Sequence, residues 1–316
     1  MTKGMGPRSH CMGLCGRKPQ QITPKEDADA PKKVLKSALL ARVNGWSLPL
    51  NMLQAVAWTT FLVLTFTSFA IFIPLLPSFY RYLAYSVSLV IWLASVLFLF
   101  HFVVHMIAVS TDPAELNVRM KNYNRPMPLF DRTKHEHVIQ SQYCHLCEVT
   151  VTPKAKHCSA CNKCITNFDH HCKWLNNCVG SRNYWVFFSS VASAVAGLVF
   201  LTMILLYVFI QYLMDQEQLR SDPHFRNIED KETWLLFLPF FPVQTKAPVL
   251  LLIGVVALML DLVSLLLLGH LLFFHFYLLV RRLSTFDYMT RGRQPTRKNS
   301  DKKAEASIQI ITSCIE

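Results

Sequence analysis

Four long apolar runs alternate with polar, charge-bearing segments along the chain: roughly Leu53–Leu76, Leu83–Ala108, Trp185–Leu213 and Val249–Val280. A helix needs about 20 such residues to cross the hydrocarbon core of a bilayer, and every run reaches that length. Asp261 is the single Asp, Glu, Lys or Arg inside any of them. Their length and near absence of charge argue against buried helices of a soluble bundle. The pattern therefore predicts an all-α integral membrane protein with four transmembrane helices. Its segments are a basic N-terminal arm over 1–45, helices 1 and 2 within 46–108, a polar module over 109–184, helix 3 over 185–213, a loop over 214–248, helix 4 over 249–280 and a basic tail over 281–316.

Charge fixes the orientation. Apolar residues make up 52% of the chain and charged residues 16%, against about 25% charged in soluble domains. The 32 Lys+Arg exceed the 20 Asp+Glu, for a net charge of +12. Nine basic residues precede the first run, one lies in 77–82, ten lie between runs two and three, four in 214–248 and eight after the last run. Rich and poor segments alternate, as the positive-inside rule requires when both termini and 109–184 are cytosolic and 214–248 is lumenal. This explains the basic excess through a lipid bilayer partner, so no nucleic acid is expected. No apolar segment follows Met1, so no signal peptide is expected. The apolar run Trp234–Phe241 is too short to cross and reads as an aromatic anchor resting in the opposite interface. Residues 288–316 read as a basic tail near an anionic leaflet. Cys314 is third from the end, which does not fit a prenylation signal.

Seven of the 10 cysteines fall between Cys144 and Cys178. Cys144 and Cys147 form one CxxC, Cys158 and Cys161 a second, and Cys161 and Cys164 an overlapping third. Such turns bring two thiolates to one tetrahedral ion, and in a cytosolic segment they point to zinc rather than disulfides. Two zinc ions need eight ligands. The seven Cys with His145, His157, His170 and His171 supply these with three groups to spare. Metal binding also explains how a segment poor in large apolar residues holds its shape. Cys172 adjoins Asp169, His170 and His171, the setting of a thiolate nucleophile with a base and its orienting acid. On spacing alone, Cys172 as a further ligand stays open.

Asp169-His170-His171-Cys172, set within this cysteine pattern between the second and third of four spans, resembles the DHHC-type zinc-finger protein S-acyltransferases (palmitoyltransferases), and within them the member-11 and member-1 branch. Asn176-Asn177-Cys178-Val179-Gly180 and Asn183-Tyr184 extend the resemblance. It implies a helix cone opening to the cytosol, with one structural zinc on Cys144, Cys147, His157 and Cys164 and another on Cys158, Cys161, His171 and Cys178. It leaves Cys172 as nucleophile with His170 and Asp169 as its catalytic partners. The activity implied is transfer of a palmitoyl group from palmitoyl-CoA, through a Cys172 acyl-enzyme, to cytosolic cysteines of membrane-associated proteins. The implied location is an endomembrane: endoplasmic reticulum, Golgi or endosome. A non-catalytic zinc-module adaptor recruiting cytosolic signalling partners is the alternative. Three motifs depart from the family: Asp112-Pro113-Ala114 for Asp-Pro-Gly, Ser284-Thr285-Phe286-Asp287 for Thr-Thr-x-Glu, and Lys173 for the usual Pro after the nucleophile. Lys173 adds a positive charge that should favour thiolate.

Other residues read two ways. Lys154 and Lys156 either bind CoA phosphates or are solvated cations near anionic lipid. The small residues from Ser189 to Gly197 either pack helices closely or leave room for an acyl chain. Asp261 should face the bundle or a polar cavity. His270 and His275 read as packed or interfacial, and Trp174 as packing the module onto the membrane. Cys11 and Cys15 are plausible acylation targets in the N-terminal arm.

Overall fold

The computed structural model describes residues 40–77, 89–121, 126–128, 130–238 and 241–291. Cys11, Cys15, the start of the second predicted span and the tail beyond 291 lie outside these residues.

Four helices are long and apolar enough to cross a membrane: α1 (Met52–Leu75), α2 (Leu89–Ser110), α3 (Tyr184–Met214) and α4 (Ala247–Arg281). Asn51 caps α1, its side chain accepting the Leu53 N–H at 2.9 Å, and satisfies a donor that the first turn leaves free. Near its other end α1 widens into a π-helical stretch, Ser68–Phe72, where the Ser68 hydroxyl donates to the Leu64 carbonyl. Helix α3 packs against both α2 and α4, and α1 packs against α4. Leu62, Leu99 and Leu266 stay exposed on the outer faces, which suits helices whose solvent is lipid. Asp261 is fully buried and accepts from the Thr202 hydroxyl on α3 at 2.5 Å, so it faces the bundle.

On the α3–α4 connection, β8 (Thr233–Phe237) and β9 (Pro242–Lys246) form an antiparallel hairpin. This corrects the anchor reading of Trp234. The ladder satisfies the backbone, and the Trp234 ring turns inward, fully buried against Tyr212 and Phe225 with the Arg220 guanidinium over it. Phe241 at the turn is 65% exposed.

Between α2 and α3 lie three small β units: a sheet of β1 (Ile139–Gln140), β2 (Tyr143–Cys144) and β3 (Val149–Thr150), and the hairpins β4 (Lys156–Cys158) with β5 (Lys163–Ile165) and β6 (His170–Cys172) with β7 (Asn177–Val179). Strands of two or three residues do not hold themselves together. Their turns use left-handed residues, among them Asn162, Asn167 and Asn176, a conformation Asn tolerates better than most residues.

The module is tied to the helices by the sequence before α1. The Arg42 N–H donates to the Cys161 carbonyl and the Gly45 N–H to the Val109 carbonyl, both at 2.9 Å, and the buried Lys163 ammonium reaches the Val43 carbonyl at 2.7 Å. Residues 40–45 thus form a docked strap. A Cβ on Gly45 would lie 2.2 Å from the Leu175 carbonyl, so the approach admits glycine alone. Asn177 caps the end of α2, its amide donating to the Thr111 carbonyl at 2.8 Å, while Asn183 bridges Cys178 and Gly180. A final helix, α5 (Thr285–Arg291), follows α4 after a left-handed Arg282.

Candidate active site and zinc centres

Two groups of four side chains each bring one ligand atom apiece within 4.8 Å of one another: Cys144, Cys147, His157 and Cys164, and Cys158, Cys161, His171 and Cys178. The first has His157 Nδ1 at 3.7, 3.4 and 3.8 Å from the sulfurs of Cys144, Cys147 and Cys164. In the second, His171 Nδ1 lies 3.4 and 3.5 Å from the sulfurs of Cys161 and Cys178, which are 3.4 Å apart. Zinc bonds of about 2.3 Å to sulfur and 2.1 Å to nitrogen give a tetrahedron with edges of roughly 3.5–3.8 Å. The donor sets fit two closed zinc sites in chemistry and spacing.

Strand alternation produces the crossed pairing. Neighbouring residues on a strand point to opposite faces. His157 sits opposite Cys164 across the β4–β5 hairpin and turns to the first centre, while adjacent Cys158 turns to the second. On β6, His171 sits opposite Cys178 and turns to the second centre. His170 and Cys172, one residue to either side, share the other face. His145 joins neither centre: its ring stacks on His135 at 3.6 Å and its Nε2 contacts Gln140.

On that other face, Asp169, His170 and Cys172 line up. His170 Nδ1 lies 2.7 Å from Asp169 Oδ2, which also accepts from the Thr285 hydroxyl at 2.7 Å, while Oδ1 accepts from the Thr285 N–H at 2.9 Å. Burial works against the charged forms, but hydrogen bonds to Asp169 and Cys172 outweigh it and raise His170 to about 9. Burial pushes the Cys172 thiol up, yet His170 and the Leu175 and Trp174 N–H groups leave it below its ordinary value. Asp169 is likewise lowered, with burial overcome by His170 and Thr285. The arrangement supports a thiolate–imidazolium pair oriented by a carboxylate. Lys173 is exposed, and the leading causes of the shift are burial, His170 and the two backbone N–H groups. His275 of α4, 2% exposed, brings a nitrogen within 4.8 Å of Asp169 and His170, so it borders the site as well as packing on Phe187.

Cys172 opens onto a cavity of about 760 Å³ between the helices, lined by apolar groups of all four and by Gly197, Ser190 and Ser193 on α3. It runs from Phe187 to Ile204 along α3, about 26 Å at 1.5 Å per residue. Gly197 faces open space, with nothing beyond its own stretch of helix within 4 Å of an added Cβ. Trp174 is also among the residues that line this cavity.

Residues 137–292 match the family described as DHHC palmitoyltransferase. The chain is 51% identical over 293 residues to the probable palmitoyltransferase ZDHHC11B of Homo sapiens, covering 92% of this chain and 75% of that protein. It is 50% identical over 299 residues to palmitoyltransferase ZDHHC11 of Mus musculus, covering 94% and 84%. With palmitoyltransferase ZDHHC1 of Danio rerio it shares 46% identity over 298 residues, 92% of this chain and 49% of that one. The chain belongs to the DHHC palmitoyltransferase family.

The departures from the family's motifs can be placed on this frame. Asp112 Oδ1 accepts from the Lys163 ammonium at 2.6 Å and from the Ala114 N–H at 3.0 Å, so the first motif anchors β5 and the strap through its carboxylate. Ala114 is fully buried and bridges Ile165, with a methyl group accommodated where the family has glycine. In the last motif, Thr285 carries the contacts to Asp169, whereas Asp287 is exposed and its N–H is capped by Ser284. Lys154 and Lys156 are both exposed, with the Lys156 ammonium 5.3 Å from the centre of the Phe286 ring.

Proposed function

We propose that this chain is a protein S-acyltransferase in which Cys172 carries the acyl group, His170 moves the proton and Asp169 orients His170. The observation that supports it most is the pairing of the Cys172–His170–Asp169 line with a long apolar cavity that begins at Cys172. In the first step the Cys172 thiolate attacks the thioester carbonyl of a palmitoyl-CoA, the carbon–sulfur bond to CoA breaks, and His170 protonates the departing thiolate. In the second, His170 takes the proton of an incoming cysteine, whose thiolate attacks the acyl-enzyme and releases the Cys172 thiolate. Both steps exchange one thioester for another, so positioning and proton handling matter more than driving force. The two ligand sets would hold zinc ions that fix the three β units. Burying the chain in the cavity would contribute up to about 0.8 kcal/mol per methylene. The alternation of basic and poor segments supports a module on the cytosolic face with 214–248 on the other side. Family resemblance supports an endomembrane, where the module would face cysteines of membrane-associated proteins and Lys154 and Lys156 would meet the CoA phosphates.

Incubating the purified, zinc-replete protein with saturating palmitoyl-CoA should give one hydroxylamine-sensitive acyl group per active chain. No acyl-enzyme under those conditions would overturn the reading. The cavity makes a separate prediction. Gly197 lies ten residues along α3 from Phe187, about 15 Å from the mouth, and Gly197→Phe would fill that depth. Overpacking costs about 1–3 kcal/mol, so preference should move from sixteen-carbon toward shorter chains by roughly tenfold. Competition between acyl-CoAs of different length measures this, and an unchanged preference would remove Gly197 from the chain-binding path.

A further inference from the structure

Part of the cavity wall is polar in a way that a plain hydrocarbon chain does not use. His101 and His105 lie one turn apart on α2, their ring centres 5.7 Å apart, and both line the cavity. His101 Nδ1 lies 3.1 Å from the Ser190 carbonyl and 3.1 Å from the Ser193 hydroxyl oxygen, and that hydroxyl donates to the same carbonyl. A carbonyl only accepts, so the network assigns the proton to His101 Nδ1 and leaves Nε2 an acceptor. His105 Nδ1 lies 3.3 Å from the Ser190 hydroxyl oxygen. When the Ser190 hydroxyl donates to it, His105 carries its proton on Nε2 and is a donor there; in the other tautomer its Nε2 is a second acceptor, to which a hydroxyl can donate. Neither Nε2 has a hydrogen-bond partner among the described residues.

A donor and an acceptor one helical turn apart on an apolar wall match a hydroxyl group, which accepts from one and donates to the other. We propose that the acyl cavity contains a hydroxyl-binding subsite formed by His101 and His105, and that it takes long-chain acyl groups carrying a mid-chain hydroxyl. Position sets the mid-chain requirement. Val109 packs in one cluster with Cys172, and His105 and His101 lie four and eight residues back along α2, about 6 and 12 Å deeper. A hydroxyl on the carbon beside the thioester stays at the mouth and reaches neither. The inference rests on the acyl-transfer reading of the cavity.

The test is competitive loading of the full-length, zinc-replete protein in lipid nanodiscs. Palmitoyl-CoA is mixed with a mid-chain hydroxypalmitoyl-CoA or with the isomer hydroxylated beside the thioester, and the acyl group on Cys172 is read by mass spectrometry. The wild type should load the mid-chain hydroxy chain within about threefold of palmitoyl, because its hydroxyl is paired, and the other isomer less well. In His101→Leu and Ser190→Ala the ratio of mid-chain hydroxy to plain chain should fall by about tenfold, the effect of leaving a hydroxyl unpaired in an apolar site. A wild type that disfavours the mid-chain hydroxy chain tenfold or more overturns the subsite, with water then occupying the two Nε2 positions. A ratio unchanged in His101→Leu overturns it too, and if the variants do not fold the wild-type ratio decides alone. If the wild type loads no palmitoyl at all, the acyl-transfer reading itself falls, a result distinct from loading palmitoyl while rejecting its hydroxy analogue.

Discussion

Replacing Cys172 by Ser is expected to abolish acylation of the protein while leaving both metal centres full. A serine hydroxyl remains protonated where the thiol gives a thiolate, and the nucleophile's contribution is lost entirely, a drop of roughly a thousandfold or more. Cys172 points away from both ligand sets, on the opposite face of β6 from His171, so the change removes no ligand. His170→Ala should come close to the same loss, at least about 10²-fold, because a base and its thiol act as one unit and their effects do not add. Metabolic labelling with an alkynyl fatty acid, run beside zinc analysis of the purified variants, measures both. Labelled Cys172→Ser, sensitive to hydroxylamine, would place the acyl-carrying thiol elsewhere. Loss of zinc in that variant would instead return Cys172 to the ligands. If the chain were a non-catalytic adaptor, Cys172→Ser would spare partner recruitment and every downstream output, whereas breaking a zinc centre would abolish both.

The parts of this molecule legible from sequence are those written in local pattern. Length and lack of charge give all four spanning helices, since backbone satisfaction in lipid leaves few other solutions. The eight ligands come from the spacing and from likeness to a family, but which ligand joins which ion depends on strand faces. That becomes visible once His157 is seen opposite Cys164 and His171 opposite Cys178. Contacts made at long range were not legible. Nothing local marks Gly45 as the residue pressed on Leu175, or Lys163 as a buried cation between Val43 and Asp112. Trp234 shows the opposite failure. Hydrophobicity alone suggested an interface, whereas pairing of β8 with β9 turned the ring inward. His101 and His105 did carry a signal, the four-residue spacing that puts two imidazoles on one helix face. Its meaning depends on the serines that α3 places opposite.

Cys161→Ala should empty the second centre and destabilise the first. The apolar cluster around that centre consists of Cys158, Cys161, Ile165 and Cys178, with Phe168 packed against it, so most of what is buried there is ligand. A structural zinc contributes about 10–16 kcal/mol of apparent binding free energy in small zinc modules. That matches or exceeds the about 5–15 kcal/mol of net stability typical of a whole domain, and strands of two or three residues supply little to replace it. The β4–β5 hairpin carries His157 for one ion and Cys158 for the other, so disorder at the second centre reaches the first through adjacent residues. The Cys161 carbonyl also receives the strap through Arg42, so loosening that turn frees the segment that Gly45 docks beside the nucleophile. The expected readings are fewer than two zinc ions per chain, faster proteolysis between α2 and α3, and loss of acyl-enzyme formation as a consequence. Cys144→Ala and Cys178→Ala should behave alike. A purified Cys161→Ala protein that kept two zinc ions per chain and wild-type protease resistance would show that the second centre is not built from these four residues.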